Sequence, residues 1–261
     1  MSDLDIDQPN TYRIYDYLLG GSFNFAADRA FAHELLARVP WAREVARHNR
    51  GFLARAIRYA VGRGVRQFLD LGSGIPTVSR TDQIAIAADP RCRVAYVDTN
   101  QLAIAHAEVL LDGHKQVATA RADIRDVAGV LGHPAVSELV DLTQPVALLM
   151  GAVVHFFPDA DDPARMIDGY RAAVPSGSLL AMSHATYDGV PPEVAAAAPM
   201  YRSAAEPMYD RSRPEITALF RGWHLIPPGV VFTGEWRPAH PDEILAEPNR
   251  SVFLAGVAVK P

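Results

Sequence analysis

The chain has one cysteine, Cys92, in 261 residues. A single thiol excludes an internal disulfide and any metal site built from several cysteines, and it suits a reducing cytoplasm. Lysine is almost missing, at Lys115 and Lys260 alone, and the net charge is −5. No basic excess marks a nucleic-acid surface. Long apolar runs are missing too: the longest, Val146 to Phe157, is too short and too interrupted to span a bilayer. The opening residues, Met1 to Asp7, are acidic and lack the apolar centre of a signal peptide. Nor are there repeats or low-complexity segments. What remains is a chain that is 49% hydrophobic, long enough to bury a sizeable core and suited to one domain with an elaboration.

Its elements fall into two rhythms. Residues 1 to 12 read as a loose arm, followed by Tyr15-Asp-Tyr-Leu-Leu-Gly-Gly, in which aromatic and apolar residues precede Gly20 and Gly21. Two helices are expected next. Asn24 can cap the first, which carries Phe31, Leu35 and Val39 and stops before Pro40; the second runs from about Trp41 to Gly62 or Gly64. From Val65 onward strands alternate with helices, the pattern of a parallel sheet covered on both faces. Strands are expected at Val65 to Leu71, Arg93 to Asp98, Val117 to Ala120, Val146 to Met150 and Leu179 to Met182, with helices at Thr81 to Ala88, Gln101 to Leu111 and Pro163 to Val174. A helix from Pro214, then Val230 to Thr233 and Ser251 to Val259, complete the chain. The last two, with no helix between them, must pair antiparallel or lie apart. Proline and tyrosine punctuate 185–213, including Tyr187, Tyr201 and Tyr209, as in a lid or binding loop.

The turn after the first strand, Asp70-Leu-Gly-Ser-Gly-Ile-Pro-Thr, brings bare backbone to the strand end at Gly72 and Gly74. It does not complete the dinucleotide fingerprint Gly-x-Gly-x-x-Gly, because Thr77 stands at its third position and Pro76 precedes it. Asp70 would repel a pyrophosphate but attract the ammonium of a bound amino acid, which favours S-adenosylmethionine over a dinucleotide. Asp98 lies 24 residues beyond Gly74, about where an acid accepts hydrogen bonds from both ribose hydroxyls. Asp123 follows the third strand, placed to accept from an adenine amino group with Ile124 against the ring. Three acids after three consecutive strands converge on one crevice if the sheet is open and parallel.

On these residues the chain resembles a class I S-adenosylmethionine-dependent methyltransferase, and its start, Tyr15 to Gly21 with Asn24 and His48-Asn-Arg, is similar to the actinobacterial S-adenosyl methyltransferase family once catalogued as a domain of unknown function. The resemblance implies a Rossmann-like α/β fold with a seven-stranded, mostly parallel sheet, an antiparallel last strand, and helices on both faces. It implies an N-terminal arm and helical cap over 1–62 and a methyltransferase core over 63–261 with a lid at 185–213. It also implies S-adenosyl-L-methionine on Gly72, Ser73 and Gly74, with Asp98 and Thr99 at the ribose, Asp123 and Ile124 at the adenine, and Gly151, Ala152 and Val153 beside the sulfonium. Tyr17, Gly20, Gly21 and Asn24 would fold over the cofactor, or else form a packing hairpin, and Arg50 would pair the methionine carboxylate.

Methyl transfer asks for an aligned nucleophile and, when that nucleophile is protonated, a base. His155 and His184, after the fourth and fifth strands, are the candidates for the base, each with a packed, hydrogen-bonded histidine as the alternative. The expected partner is a small-molecule acceptor rather than nucleic acid or membrane. Two other functions stay open on sequence alone: a protein that binds the cofactor without turnover, and a nicotinamide-dependent oxidoreductase, which Asp70 and Thr77 disfavour.

Overall fold

The structure, a computed structural model, describes residues 6–75, 78–111, 113–196, 207–240, 244 and 247–261. Pro76, Thr77 and Tyr201 lie outside the described residues. Strands β1 (Gln67–Leu71), β2 (Arg93–Asp98), β3 (Val117–Arg121), β4 (Val146–Gly151) and β5 (Leu179–Ala185) run parallel in the order β3-β2-β1-β4-β5. The order reverses between β1 and β4, which opens a crevice beyond their carboxyl ends. Two-residue strands β6 (His224–Leu225) and β7 (Val231–Phe232) and the long β8 (Phe253–Val259) follow. β8 lies antiparallel to β5, and both short strands pair with β8. The sheet therefore has eight strands where seven were expected, the extra one being the β7 pairing beside β6.

Alternation along β1 explains how one strand serves two layers. Phe68 faces a core with Phe52, Ile57, Ala85 and Ala107 from one set of helices, while Leu69 and Leu71 face a second core with Ile167, Tyr170 and Ile216 from the other. The first layer is built from α3 (Ala42–Gly62), α4 (Thr81–Ala88) and α5 (Gln101–Leu111); the second includes α6 (Pro163–Ala173) and α7 (Arg213–Ala218). β4 is buried along Val146 to Met150, as a central strand covered on both faces must be.

A third small core holds the N-terminal helices. A helix not foreseen in the sequence, α1 (Thr11–Leu19), runs from the end of the expected loose arm to the Gly20-Gly21 pair, and its Ile14 and Leu18 pack on Leu35 and Val39 around α2 (Ala26–Arg38) and on Ala42 and Ala46 at the start of α3. Asn10 caps α1 by accepting from the backbone amides of Tyr12 and Arg13 at 3.1 and 3.3 Å. Asn24 does not cap α2; the first residue before that helix is Phe25, whose amide donates to Asp28 Oδ2 at 2.8 Å. Phe52, Ile57 and Ala60 carry the second half of α3 onto the sheet. One helix thus joins the cap rigidly to the core.

The cap is locked by a buried ion pair. Arg13 Nε donates to Asp28 Oδ2 at 2.7 Å, with both side chains almost wholly buried, and Asn10 N donates to the other carboxylate oxygen at 2.9 Å. Removing one member leaves an uncompensated charge in a dry site. Asp28→Ala is expected to cost about 3–5 kcal/mol, read as a lower urea midpoint; an unchanged midpoint would show that the pair does not hold the cap.

Candidate active site

The crevice at the carboxyl ends of β1, β2 and β4 is roofed by α1 and α3. It holds two adjoining cavities that share Tyr12, Gly72 and Phe156. The glycine turn forms their common floor. Gly72 has φ +76°, and a Cβ there would sit 2.3 Å from Val153 Cγ2. No larger residue fits. The amides of Gly72 and Ser73 both donate to the Val97 carbonyl, extending the β1–β2 pairing into the turn. Gly74, at φ +61°, turns its amide to Asp98 Oδ2 at 2.8 Å, while the Tyr12 ring covers its other side, 3.2 Å from where a Cβ would stand.

Asp98 is accordingly held in place. Its Oδ1 accepts from Asn100 N at 2.8 Å, and only 2% of the residue is exposed. Burial pushes its carboxyl up, and the amides of Asn100 and Gly74 pull it back down. Asp98 lines the second cavity with Thr99, Asp123, Ile124 and Val153. Asp123 is partly exposed and bound side-on by Arg125 through Nε and Nη2, which lowers its carboxyl. Ile124 is buried, its carbonyl fixed by the Tyr170 hydroxyl at 2.9 Å.

Asp70 is placed differently from its neighbours. It lines neither cavity; its Oδ2 accepts the Thr81 hydroxyl at 2.6 Å and so secures the start of α4.

The β4 exit is tightly built. A Cβ on Gly151 would meet Leu53 Cδ1 at 2.5 Å, and Ala152 is held at φ +55° by its amide bonds to the carbonyl and hydroxyl of Ser183. Left-handed backbone at a non-glycine residue stores strain that the surroundings must enforce.

From the cap, the first cavity receives Tyr12, Tyr15, Asp16, Asn49 and Arg50, with a wall of Ile14, Leu18, Leu35, Val39, Val45 and Leu53. Arg50 Nη2 donates to the carbonyls of Ser79 at 2.6 Å and Val78 at 3.2 Å; its buried Nε has no partner. Asn49, 1% exposed, donates from Nδ2 to the Tyr15 oxygen at 2.9 Å and leaves Oδ1 buried and without a partner. Two polar groups in one wall therefore lack partners that a ligand can supply.

The other N-terminal residues serve packing. Gly20 ends α1 at φ +87°, Gly21 leaves no room for a Cβ against Asp16 Oδ1, and Asn24 Nδ2 donates to Asp16 Oδ2 and to the Gly21 carbonyl. The Tyr17 hydroxyl meets His33 Nε2 at 2.8 Å and its ring lies under Arg43. Gly20, Gly21, Tyr17 and Asn24 line neither cavity. Their contacts lie within the N-terminal segment, as in the packing reading.

His155 and His184 are also separated by the structure. His155 lines the first cavity; its Nδ1 accepts from Ala185 N at 3.3 Å, and burial, His184 and Arg211 hold its pKa well below the ordinary value. His184 lines neither cavity. Its Nδ1 faces the Ala185 carbonyl at 2.6 Å and its Nε2 faces Arg211 Nη1 at 2.9 Å, and burial followed by the Arg211 charge lowers its pKa to about 4. From 185–213, Ala185, Tyr187, Val194 and Met208 reach the first cavity and Pro207 the second. Among the described residues no group of three or more His, Cys, Asp or Glu could hold a metal, and no helix is long and apolar enough to cross a membrane.

A family model described as S-adenosyl methyltransferase matches residues 1–261. A candidate methyltransferase from Thermobifida fusca YX is 36% identical, with a TM-score of 0.91 over 98% of this chain and 97% of its own. A DUF574 family protein from Streptomyces avermitilis MA-4680 is 34% identical, with a TM-score of 0.93 over 98% of this chain and 99% of its own. The N-methyltransferase NodS from Bradyrhizobium japonicum WM9, solved with S-adenosylhomocysteine, shares the fold at 14% identity and a TM-score of 0.52, over 95% of this chain and 99% of its own. No curated protein matches the chain.

Burial raises the Asp70 carboxyl, against the opposing pull of Thr81 and Arg50. The folded state then holds that proton more tightly than the unfolded chain, so the contribution to stability is full below a pH of about 4 and is lost as pH rises through the folded value. Asp70→Asn keeps an acceptor for Thr81 and removes the ionisation. The variant is expected to have a higher urea midpoint than the parent at neutral pH, the gap closing in acid; equal midpoints at neutral pH would contradict this.

Proposed function

The chain belongs to the S-adenosyl methyltransferase family and is an S-adenosylmethionine-dependent methyltransferase; we propose that its acceptor is a small, largely apolar molecule bound in the cavity between the helical cap and the sheet. The observation that carries this reading is the meeting of two unlike cavities at Tyr12, Gly72 and Phe156, one with acids at strand ends and one walled by aliphatic side chains.

In this proposal the acidic cavity takes adenosine. The Asp98 carboxylate, met by the amides of Gly74, Asn100 and Thr99, accepts from the ribose. Asp123 accepts the adenine amino group while Ile124 packs on the ring. Gly72, Ser73 and Gly74 lie under the amino-acid portion. The unpaired Nε of Arg50 is suited to the methionine carboxylate, because a guanidinium already anchored at Nη2 loses little further freedom on pairing. Gly151, Ala152 and Val153 border the reacting centre. These assignments are supported by the cavity linings and by the absence of room for any side chain on Gly72.

The sulfonium arrives already activated and supplies the methyl group. What this chain adds is alignment and dryness. Tyr12 and Phe156, which border both cavities, would hold the nucleophile in line, and Tyr187, Val194 and Met208 would shield the apolar side from water. The aliphatic wall favours a hydrocarbon or aromatic body, whose burial contributes about 25 cal/mol per Å², over a peptide, sugar or nucleic acid.

Incubating the protein and S-adenosylmethionine with the organic-phase and aqueous-phase fractions of a bacterial cell extract tests this acceptor class. Formation of S-adenosylhomocysteine with the organic fraction alone is expected. Formation with the aqueous fraction alone would overturn the apolar acceptor.

A further inference from the structure

We infer that His155 serves the acceptor as a hydrogen-bond donor through Nε2–H and not as a general base, so that the molecule accepted here presents a hydrogen-bond-accepting oxygen or nitrogen beside its nucleophile. The inference deepens the proposal above and rests on the acceptor occupying the first cavity.

One chain of contacts fixes where each proton sits. Arg211 is held by Asp159 through Nε at 3.2 Å and Nη2 at 2.6 Å, and by the Phe157 carbonyl at 3.0 Å. A guanidinium has donors only, so its Nη1, 2.9 Å from His184 Nε2, must donate to a bare ring nitrogen. The His184 proton then sits on Nδ1, where it donates to the Ala185 carbonyl at 2.6 Å. One residue along, the Ala185 amide donates to His155 Nδ1 at 3.3 Å. An amide N–H can only donate, so Nδ1 of His155 is bare and the neutral ring carries its single proton on Nε2. A ring flipped to the other tautomer would set two N–H groups against each other in a site that is 1% exposed.

Protonating the ring offers no escape. The Arg211 guanidinium, held against the neutral His184, disfavours an imidazolium at His155, and the cofactor's sulfonium adds a second positive charge on the cavity side. A general base needs a lone pair facing its proton donor. Here the one lone pair is spent on the backbone.

Methyl transfer then runs without His155 accepting a proton. A lone pair on the acceptor forms the new bond to the methyl carbon as the carbon–sulfur bond breaks, and its electrons remain on sulfur as a neutral thioether. Any proton on the nucleophile has left to water before that step, or leaves to water after it. Nε2–H contributes by binding an adjacent carbonyl, ring nitrogen or anionic oxygen, which both orients the acceptor and lowers the pKa of a neighbouring hydroxyl.

Nitrogen-15 NMR of the histidine-labelled, S-adenosylhomocysteine-loaded protein tests the tautomer directly, with the His155 signals assigned by their loss in both His155→Gln and His155→Phe. The expected result is a bare Nδ1 and a protonated Nε2 across the neutral pH range. A protonated Nδ1, or a ring that titrates in that range, would overturn the inference whatever binds in the cavity. Two probes of nearly equal shape, acetophenone and α-methylstyrene, test the consequence. Acetophenone is expected to bind about fivefold more tightly and to shift the Nε2–H proton. The preference should vanish in His155→Phe and return in His155→Gln, whose amide also donates. Equal binding of both probes to the parent would overturn the donor role. Binding of neither would count against the cavity as the acceptor's place, and the tautomer would then decide the question for His155 alone.

Discussion

The site depends on one hydrogen bond between neighbouring strand ends, from the Gly74 amide to Asp98. It determines where the turn after β1 goes, because a left-handed Gly74 is the residue that can aim its amide sideways at the end of β2. It determines the carboxylate as well: an acid 2% exposed is costly unless amides meet it, and those of Gly74 and Asn100 do. Every other feature of the crevice is arranged around that pair. Val153 presses on Gly72 from the β4 side, Tyr12 lies over Gly74 from the cap, and Phe156 stands where the two cavities meet.

The cap walls one side of the crevice at the strand ends. α3 spends its first half in the small core with α1 and α2 and its second half on the sheet, so the tilt of the roof is set by the same helix that carries Asn49 and Arg50. The Arg13–Asp28 pair and the Asp16 bonds to Phe23 and Asn24 then hold α1 in register with α2. Rigid support of this kind is what places Tyr12, Tyr15 and the unpaired polar atoms of α3 where a ligand can use them.

Much of the core was legible in the sequence, because a parallel α/β domain writes its strands as apolar runs and its helices as stripes between them. Helix α4, helix α5 and strand β2 have the expected ends, and the acids at β2 and β3 open onto one cavity. Local pattern fails where a residue's partner is distant in sequence. Asp70 reads like Asp98, a strand-end acid, yet it lines neither cavity and its Oδ2 is taken by the Thr81 hydroxyl at the start of α4. Helix α1 was hidden by aromatic residues and the glycine pair, although Asn10 and the four-residue step from Ile14 to Leu18 are its signature. The same glycines left a fold over the cofactor and a packing hairpin open, and the partner that Gly21 makes room for is the Asp16 side chain. Asn49 carried no signal beyond its place in the family-like His48-Asn-Arg, and Tyr12 none at all, at the end of the stretch read as a loose arm. His155 and His184 look equivalent after their strands, and Arg211, a contact 27 residues beyond His184, is what separates them.

The most direct measurement is calorimetric titration of S-adenosylhomocysteine into the native protein and into Asp98→Asn, whose side chain keeps the volume of the carboxylate but loses its charge and half of its acceptors. The native protein should bind, and the variant should bind roughly 10- to 150-fold more weakly, the equivalent of about 1.5–3 kcal/mol for charge-assisted hydrogen bonds. Equal affinity in the two proteins would contradict the account, because the ligand would then rest on something other than the carboxylate around which the crevice is built.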